Sequence, residues 1–132
     1  MDIAEEKRKI LDGTYPTKVV AGRQRKHILG TREFAQNLQK MQNQEPKSRP
    51  AILIADAKTL VDKFKGTGYI YMHPSSAEYP REEINAGYVI GKSWYKKGNK
   101  YIDTSEFEII YSKDGVHVIP INSWKNKKGT VI

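Results

Sequence analysis

Two histidines far apart in the chain have neighbours that could support chemistry on a phosphate. His27 lies in a basic stretch with Arg25 and Lys26, just before a predicted helix. Nearby cations favour the neutral imidazole, and the N–H groups at a helix N-terminus can hold an anion, so this arrangement suits a base acting on a phosphodiester. A surface histidine in a basic stretch is the alternative. His117 lies close to Ser112 across an Asp-Gly turn.

The segment around Ser112 and His117 predicts a β-hairpin with an Asp114-Gly115 turn. With that two-residue loop Ser112 faces His117 directly, and their Cβ atoms lie about 4.5 to 5.5 Å apart. The serine could be a nucleophile only with an activating base and an orienting carboxylate. Binding a phosphate oxygen or orienting the imidazole suits it better, and a solvated pair without chemistry is the alternative.

Alternation along these two strands predicts which side chains share a face. One set suits the core: Phe107, Ile109, Tyr111, Val116 and Val118. The other set lies on the opposite face: Glu108, Ile110, Ser112, His117 and Ile119. The serine and the histidine therefore share the face turned away from the core.

Metal and cofactor motifs are missing from the sequence. His73 precedes Pro74 in a polar stretch without an identifiable partner, and the histidine spacings match no zinc motif. The acidic residues form no calcium loop, and residues 66–68 are too short for a nucleotide-binding loop. The chain has no cysteine, which excludes disulfides and thiolate catalysis. We expect no metal and no cofactor.

The charge balance indicates an anionic partner. The 132 residues include 23 Lys and Arg against 15 Asp and Glu, a net charge of +8. A nucleic acid is the leading candidate, and a basic protein that binds no polyanion is the alternative. No apolar run is long enough to cross a bilayer, and the N-terminus lacks a secretory signal pattern, so we expect no membrane. The length fits a single domain, residues 1–132.

Helix signals come first along the chain and strand signals follow. Apolar periodicity predicts helices over 1–12, 31–43 and 56–64, with N-caps at Asp2, Thr31 and Asp56. An extended connection is expected at 14–26, and loops are expected at 44–50 and 73–80. Strands are predicted at 52–55, 69–72, 88–95, 100–104, 106–112 and 116–121. This order predicts an α+β fold whose helices pack on one face of a curved antiparallel sheet.

Two sequence blocks resemble the polymorphic toxin type fifty family. The first is Gln24-Arg-Lys-His-Ile-Leu-Gly-Thr31, and the second is Ile110-Tyr-Ser-Lys-Asp-Gly-Val-His-Val-Ile-Pro120. Shorter matches between them follow the family's order: Asp56 with Leu60, Gly66-Thr-Gly68, Glu83-Ile84 and Ile90-Gly91. The resemblance covers residues 22–121, with an N-terminal helix and connection at 1–21 and a basic tail at 122–132. The stretch 69–82 looks like an insertion specific to this chain.

The resemblance implies a ribonuclease toxin domain with the architecture of barnase, EndoU, colicin and RelE. It places the functional residues at His27, His117 and Ser112, and the substrate-binding candidates are Arg25, Lys26, Thr31 and Lys113. It implies RNA, tRNA included, as substrate and an immunity protein as a candidate partner. Similar domains also occur at the C-terminus of phage head-morphogenesis (minor capsid) proteins. The site of action would be the cytoplasm of a target or host cell, reached by secretion or in a phage particle.

Under this resemblance, His27 and His117 are the general acid–base pair of a metal-independent endoribonuclease. One imidazole accepts the proton of the RNA 2′-hydroxyl, and the other protonates the leaving 5′-oxygen, which gives 2′,3′-cyclic phosphate ends. Lys26, Lys113 and Ser112 would stabilise the developing charge. The alternatives are a non-catalytic module that binds nucleic acid or assembles a phage capsid, and a toxin-like fold without activity.

Overall fold

Helices occupy the first half of the chain. The computed structural model describes residues 1–44 and 49–122. Its helical elements are α1 (Ile3–Leu11), α2 (Ala21–Gln24), a 3-10 helix (Arg25–His27), α3 (Arg32–Gln44) and α4 (Ala57–Phe64). Within the described residues, none of these helices has the length and apolar character needed to cross a membrane. The predicted loop at 44–50 and the predicted basic tail lie largely outside the described residues.

The predicted N-caps begin the three longer helices. Asp2, Thr31 and Asp56 each accept a hydrogen bond from a backbone N–H in the first turn of α1, α3 and α4. A side-chain oxygen at this position satisfies N–H groups that the first helical turn leaves without a partner. Short polar residues ahead of an apolar periodicity therefore predicted these helix starts correctly.

The strands form two antiparallel sheets. They are β1 (Ile52–Leu53), β2 (Tyr69–His73), β3 (Ser76–Asn85), β4 (Gly91–Tyr95), β5 (Lys100–Thr104), β6 (Glu106–Ser112) and β7 (Gly115–Pro120). The larger sheet has the order β2-β3-β6-β7, and the smaller has the order β1-β4-β5. The α+β class is confirmed, and the strands expected in one curved sheet divide into these two.

Helices α1 and α4 pack with the core side of the larger sheet. Ile10 of α1 and Leu60 and Val61 of α4 are buried in one cluster with the inward side chains of β2, β3, β6 and β7. Packing against a sheet removes the apolar stripe of each helix from water, which is the main favourable term in forming this core. The other face of the sheet is left open, and the candidate site lies there.

Two segments predicted to lack regular structure are regular. Residues 21–27 are helical where an extended connection was predicted, and Gly22 is tolerated because it lies on the exposed side. Residues 76–80 belong to β3 instead of a loop. Pro80 lies beside an irregularity in the pairing of β2 with β3, and an interrupted ladder tolerates a proline.

Candidate active site

The open face of the larger sheet carries a row of four side chains that ends at His117. The strand register pairs Tyr71 with Arg81, Arg81 with Ile110, and Ile110 with His117. Residues paired across neighbouring strands point to the same face, so these side chains lie next to one another. The five side chains predicted for the core face of β6 and β7 are all buried, which confirms the predicted division of faces.

The hairpin turn lies one residue earlier than predicted. Ser112 pairs with Gly115, so Lys113 and Asp114 form the loop, and the expected direct pairing of Ser112 with His117 is wrong. Relative to the prediction, β7 is shifted by two residues along β6. Since side chains alternate between faces with a period of two, each one keeps its predicted face. Ser112 and His117 become diagonal neighbours, and residues in such positions lie about 7 to 8 Å apart, with their Cβ atoms somewhat closer.

Position 115 requires glycine because the chain just before α2 pairs with the edge of β7 and passes close to this residue. The Val116 N–H donates to the Lys18 carbonyl at 2.8 Å, and the Val20 N–H donates to the Val116 carbonyl at 2.8 Å. Gly115 has a φ of 137°, and a Cβ there would lie 2.3 Å from the Lys18 carbonyl oxygen. This contact is distant in sequence, which is why the turn motif alone predicted the wrong register.

Gln24 extends this edge pairing with its side chain. Its Nε2 donates to the Val118 carbonyl at 2.9 Å, and its Oε1 accepts from the Val118 N–H at 2.7 Å. Gln24 is only 3% exposed, so its amide takes the place of a backbone partner at the free edge of β7. The 3-10 helix that follows is thereby fixed to β7 and brings His27 to the same strand as His117.

The rings of His27 and His117 face each other. Their centroids are 6.2 Å apart, and their planes differ by 10°. The Nδ1 of His27 lies 3.3 Å from the Ala51 carbonyl oxygen. A carbonyl only accepts, so this nitrogen donates its N–H and the Nε2 keeps a lone pair. The Nδ1 of His117 is buried without a partner among the described residues.

Both imidazoles have a pKa below the ordinary value for a histidine. Burial lowers the pKa of His27, the charge on Lys26 lowers it further, and the backbone hydrogen bond opposes the shift. The pKa of His117 is lowered to about 4, mainly by burial and also by the charges of His27, Arg23, Lys26 and Arg81. Both rings are therefore neutral at pH 7, as the cations near His27 led the sequence analysis to expect for that ring.

Ser112 anchors an arginine that the sequence analysis left out of the site. Its hydroxyl donates to the Gly115 carbonyl at 2.8 Å and accepts from Arg23 Nη1 at 2.8 Å. Arg23 also forms an ion pair with Asp114, in which Nη2 and Oδ2 are 3.6 Å apart. Because the hydroxyl proton is held by a carbonyl, the serine lacks the base that a nucleophile needs. Ser112 instead holds Arg23 close to His117.

Glu108, Arg81 and Tyr71 form a second polar cluster on the open face. Glu108 is 7% exposed; the Tyr71 hydroxyl donates to it in a short hydrogen bond, and Arg81 Nη1 lies 3.4 Å from its Oε1. Burial and the carboxylate raise the pKa of Tyr71. The Nε of Arg81 is buried and lacks a partner within residues 1–44 and 49–122. Sequence reasoning missed this cluster because only the pairing of three strands brings it together.

The other predicted substrate-binding residues are not all brought to the histidine pair. Lys26 is exposed and close enough to lower the pKa of both histidines, and Lys113 is exposed in the hairpin loop. The Thr31 hydroxyl donates to the Arg25 carbonyl at 2.7 Å as well as capping α3, so it is occupied within the fold. Arg25 is paired with Glu33 at 3.5 Å and lines a different groove from His27.

His73 interacts with its neighbour in the turn between β2 and β3. The Ser75 N–H donates to His73 Nδ1 at 3.1 Å, and the Ser75 Oγ lies 2.7 Å from the same nitrogen. Across the described ranges, no group of three or more side chains of the metal-ligating types clusters around a common point.

The part of the chain that builds this site matches a known family. A family model described as Bacterial toxin 50 matches residues 19–120, which include both histidines, Arg23, Arg81 and all strands of both sheets. Comparison with curated proteins gave no match. Since the matched span covers well over half of the chain, the protein belongs to the bacterial toxin 50 family and is a toxin domain.

Proposed function

We propose that this toxin domain is a metal-independent endoribonuclease in which His27 and His117 act as general base and general acid. The observation that carries the proposal is the approach of the two rings, whose centroids are 6.2 Å apart. A phosphate bound at the edge of this pair would be within reach of both imidazoles. Positioned acid and base groups each accelerate such a reaction by about a hundredfold to ten-thousandfold.

His27 is assigned as the base because Ala51 fixes its tautomer. With the Nδ1–H directed at the Ala51 carbonyl, Nε2 accepts the proton of the RNA 2′-hydroxyl. The 2′-oxygen then attacks phosphorus, the bond from phosphorus to the 5′-oxygen breaks, and His117 donates a proton to that oxygen. The products are a 2′,3′-cyclic phosphate and a 5′-hydroxyl, and the step consumes neither water nor metal.

The cations around His117 supply charge stabilisation and make the acid dependent on substrate. Burial lowers the pKa of His117 most, and Arg23, Lys26 and Arg81 lower it further in the free protein. A phosphodiester between them offsets their charge and raises the pKa of the imidazole, while the guanidinium groups stabilise the pentavalent phosphorane. We expect kcat/KM to be highest between the pKa of His117, about 4, and the ordinary histidine value of 6.5.

The test is the chemistry of the cleaved ends. A 5′-labelled single-stranded RNA is incubated with the protein in an acidic buffer that contains a chelator. We expect fragments that end in 2′,3′-cyclic phosphate, with 5′-hydroxyl ends on the complementary fragments. Replacing the ribose at a mapped cleavage position by 2′-deoxyribose should protect that position alone, because the nucleophile is then missing.

His73→Ala is the control for substituting a histidine, since it removes the third histidine and leaves His27 and His117 unchanged. The control should cleave as the unmodified protein does. Intact RNA from a folded protein would contradict the proposal and favour the non-catalytic nucleic-acid-binding module, which the net charge of +8 also suits. Cleavage at a 2′-deoxy position would contradict the 2′-hydroxyl mechanism.

A further inference from the structure

A cleft with basic and aromatic walls adjoins His27. Its volume is about 480 Å³. Its walls are formed by β4 and the turn after it, by the chain at 49–51 and by the end of β7. The residues important here are His27, Arg49, Trp94, Lys96, Lys97 and Ile119. Among the described lining residues there is no acidic side chain, so its positive charge is not offset locally.

Trp94 is held rigidly at this cleft and has one group without a partner. The edge of Tyr101 packs against its ring with centroids 5.1 Å apart, and the Tyr101 hydroxyl donates to the Pro50 carbonyl at 3.0 Å. The Arg49 guanidinium lies 5.1 Å from the centre of the Trp94 ring. The indole Nε1 is buried with no hydrogen-bond partner among the described residues.

These features match the chemistry of a nucleotide. Unpaired bases stack on aromatic rings and on arginine planes, and each stacked base contributes about 1 to 3 kcal/mol. Lys96 and Lys97 are exposed at the edge of the cleft, where ammonium groups can bind the phosphates on either side of a stacked base. One cleft therefore offers a single-stranded RNA both planar groups for its bases and ammonium groups for its phosphates.

We propose that this cleft binds the nucleotide that supplies the attacking 2′-hydroxyl, with its base beside Arg49 and Trp94 and its phosphate at Lys96 and Lys97. The assignment rests on the proposed ribonuclease function, because it uses His27 as the base. His27 lines the cleft, so the ribose whose hydroxyl it deprotonates must lie at the mouth of the cleft. The base attached to that ribose then enters it.

The experiment measures binding without cleavage. A fluorescent single-stranded RNA with 2′-fluoro riboses, which cannot be cleaved by this route, is titrated with Lys96→Ala/Lys97→Ala and with the control Lys7→Ala/Lys58→Ala. The control removes the same charge from exposed positions on α1 and α4. We expect the cleft variant to bind on the order of tenfold more weakly than the control, and its salt slope, d log K/d log[salt], to be smaller by about 1.4.

A second measurement reports on the base itself. In a Trp124→Phe background, Trp94 is the remaining tryptophan of the two, and the 2′-fluoro RNA should quench its fluorescence. For cleavage, the lysine variant should raise KM with little change in kcat, because uniform binding is lost.

Failure of this inference is distinguishable from failure of the proposed function. If the protein cleaves RNA but both double variants bind equally and Trp94 is not quenched, the cleft assignment is wrong and the ribonuclease proposal stands. If RNA quenches Trp94 and the cleft variant alone binds weakly, yet no RNA is cleaved, the cleft binds a nucleotide but the reaction assigned to His27 is wrong.

Discussion

The two faces of the larger sheet differ in whether their buried polar groups have partners. On the core face, Glu82 is fully buried, and it accepts hydrogen bonds from the Gly66 N–H at 3.0 Å, the Gly68 N–H at 2.8 Å and the Tyr111 hydroxyl at 2.6 Å. These bonds tie the end of α4 to β3 and β6. The carboxylate and its three donors are all removed from water, which is unfavourable, so the fold depends on the hydrogen bonds that satisfy them.

On the open face, Glu108 is bonded to Tyr71 and Arg81, but other buried polar atoms lack partners among the residues that the structure describes. The Nδ1 of His117 and the Nε of Arg81 are both in this state within the described part of the chain, as is the Nε1 of Trp94 in the adjoining cleft. Burial without a hydrogen bond costs about 1 to 3 kcal/mol for each group. The comparison teaches that the core face completes the polar bonds of Glu82 internally, whereas the open face completes those of Glu108 but leaves a histidine nitrogen and an arginine nitrogen unpaired among the described residues.

Removing the internal partner on the core face should have the largest effect on stability. Glu82→Ala leaves the two glycine N–H groups and the Tyr111 hydroxyl without an acceptor, and we expect the free energy of unfolding to fall by about 4 kcal/mol. Urea denaturation measures this. Glu78→Ala, at an exposed position of the same strand, should change stability by less than about 0.5 kcal/mol. A similarly small loss for Glu82→Ala would contradict the contrast between the faces.

Local sequence features predicted the elements and their faces. The caps at Asp2, Thr31 and Asp56 depend on residues within one helical turn, and alternation along β6 and β7 depends only on the period of a strand. Such signals act over a few residues. The assignment of His27 and His117 to one site came from the family resemblance, since no local pattern relates residues so far apart.

Contacts between distant segments account for what the sequence did not predict. Glu82 resembles a surface residue until Gly66 and Gly68 are brought to it, and Gly115 resembles a turn residue until the Lys18 carbonyl approaches it. Arg81 joins the site only because β3 pairs with β6. In each case the contact joins residues far apart in the chain, and patterns among neighbouring residues do not reveal it.

Gln24 contributes to stability and also positions His27, the proposed base, so its replacement should affect both stability and cleavage. Gln24→Ala leaves the N–H and carbonyl of Val118 unpaired at the edge of β7, which should lower the free energy of unfolding by about 3 kcal/mol. Loss of this anchor also displaces His27, and we expect kcat to fall on the order of a hundredfold, more than KM rises. Denaturation and steady-state kinetics below the unfolding temperature separate the two effects.

The matched control for Gln24 is Gln36→Ala, at an exposed position of α3. It should leave stability and kcat close to those of the unmodified protein. If Gln24→Ala lowered stability but not kcat, the positioning role would be wrong and the amide would serve the fold alone.

The buried His117 should make stability fall on acidification. Its pKa is about 4 in the folded protein, against an ordinary value of 6.5, so the unfolded chain takes up the proton first as the pH falls. The resulting loss begins near pH 6.5 and is complete near pH 4. We expect this histidine to contribute about 2 kcal/mol of the loss between pH ~7 and pH ~5. His117→Asn should lose correspondingly less across that interval in urea titrations, and an unchanged pH dependence would show that His117 titrates normally.

Ser112 should have the smallest effect on cleavage. Ser112→Ala removes one hydrogen bond to Arg23 but leaves the ion pair of that arginine with Asp114, so kcat/KM should fall by less than about tenfold. Arg23→Ala, which removes the cation itself, should cost more, since it stabilises charge in the transition state. Complete loss of cleavage in Ser112→Ala with Arg23→Ala still active would instead identify the serine as the reacting group.

The pairing of the two imidazoles is tested most directly by a double-variant cycle of RNA cleavage. His27→Ala, His117→Ala and the double variant are compared with the unmodified protein by kcat/KM, after circular dichroism has shown that each is folded. We expect each single variant to lose about a hundredfold to ten-thousandfold, and the double variant to lose little more than the worse single variant, because residues that act as a unit are not additive. Retained cleavage in either single variant, or losses that multiply in the double variant, would contradict the acid–base pair.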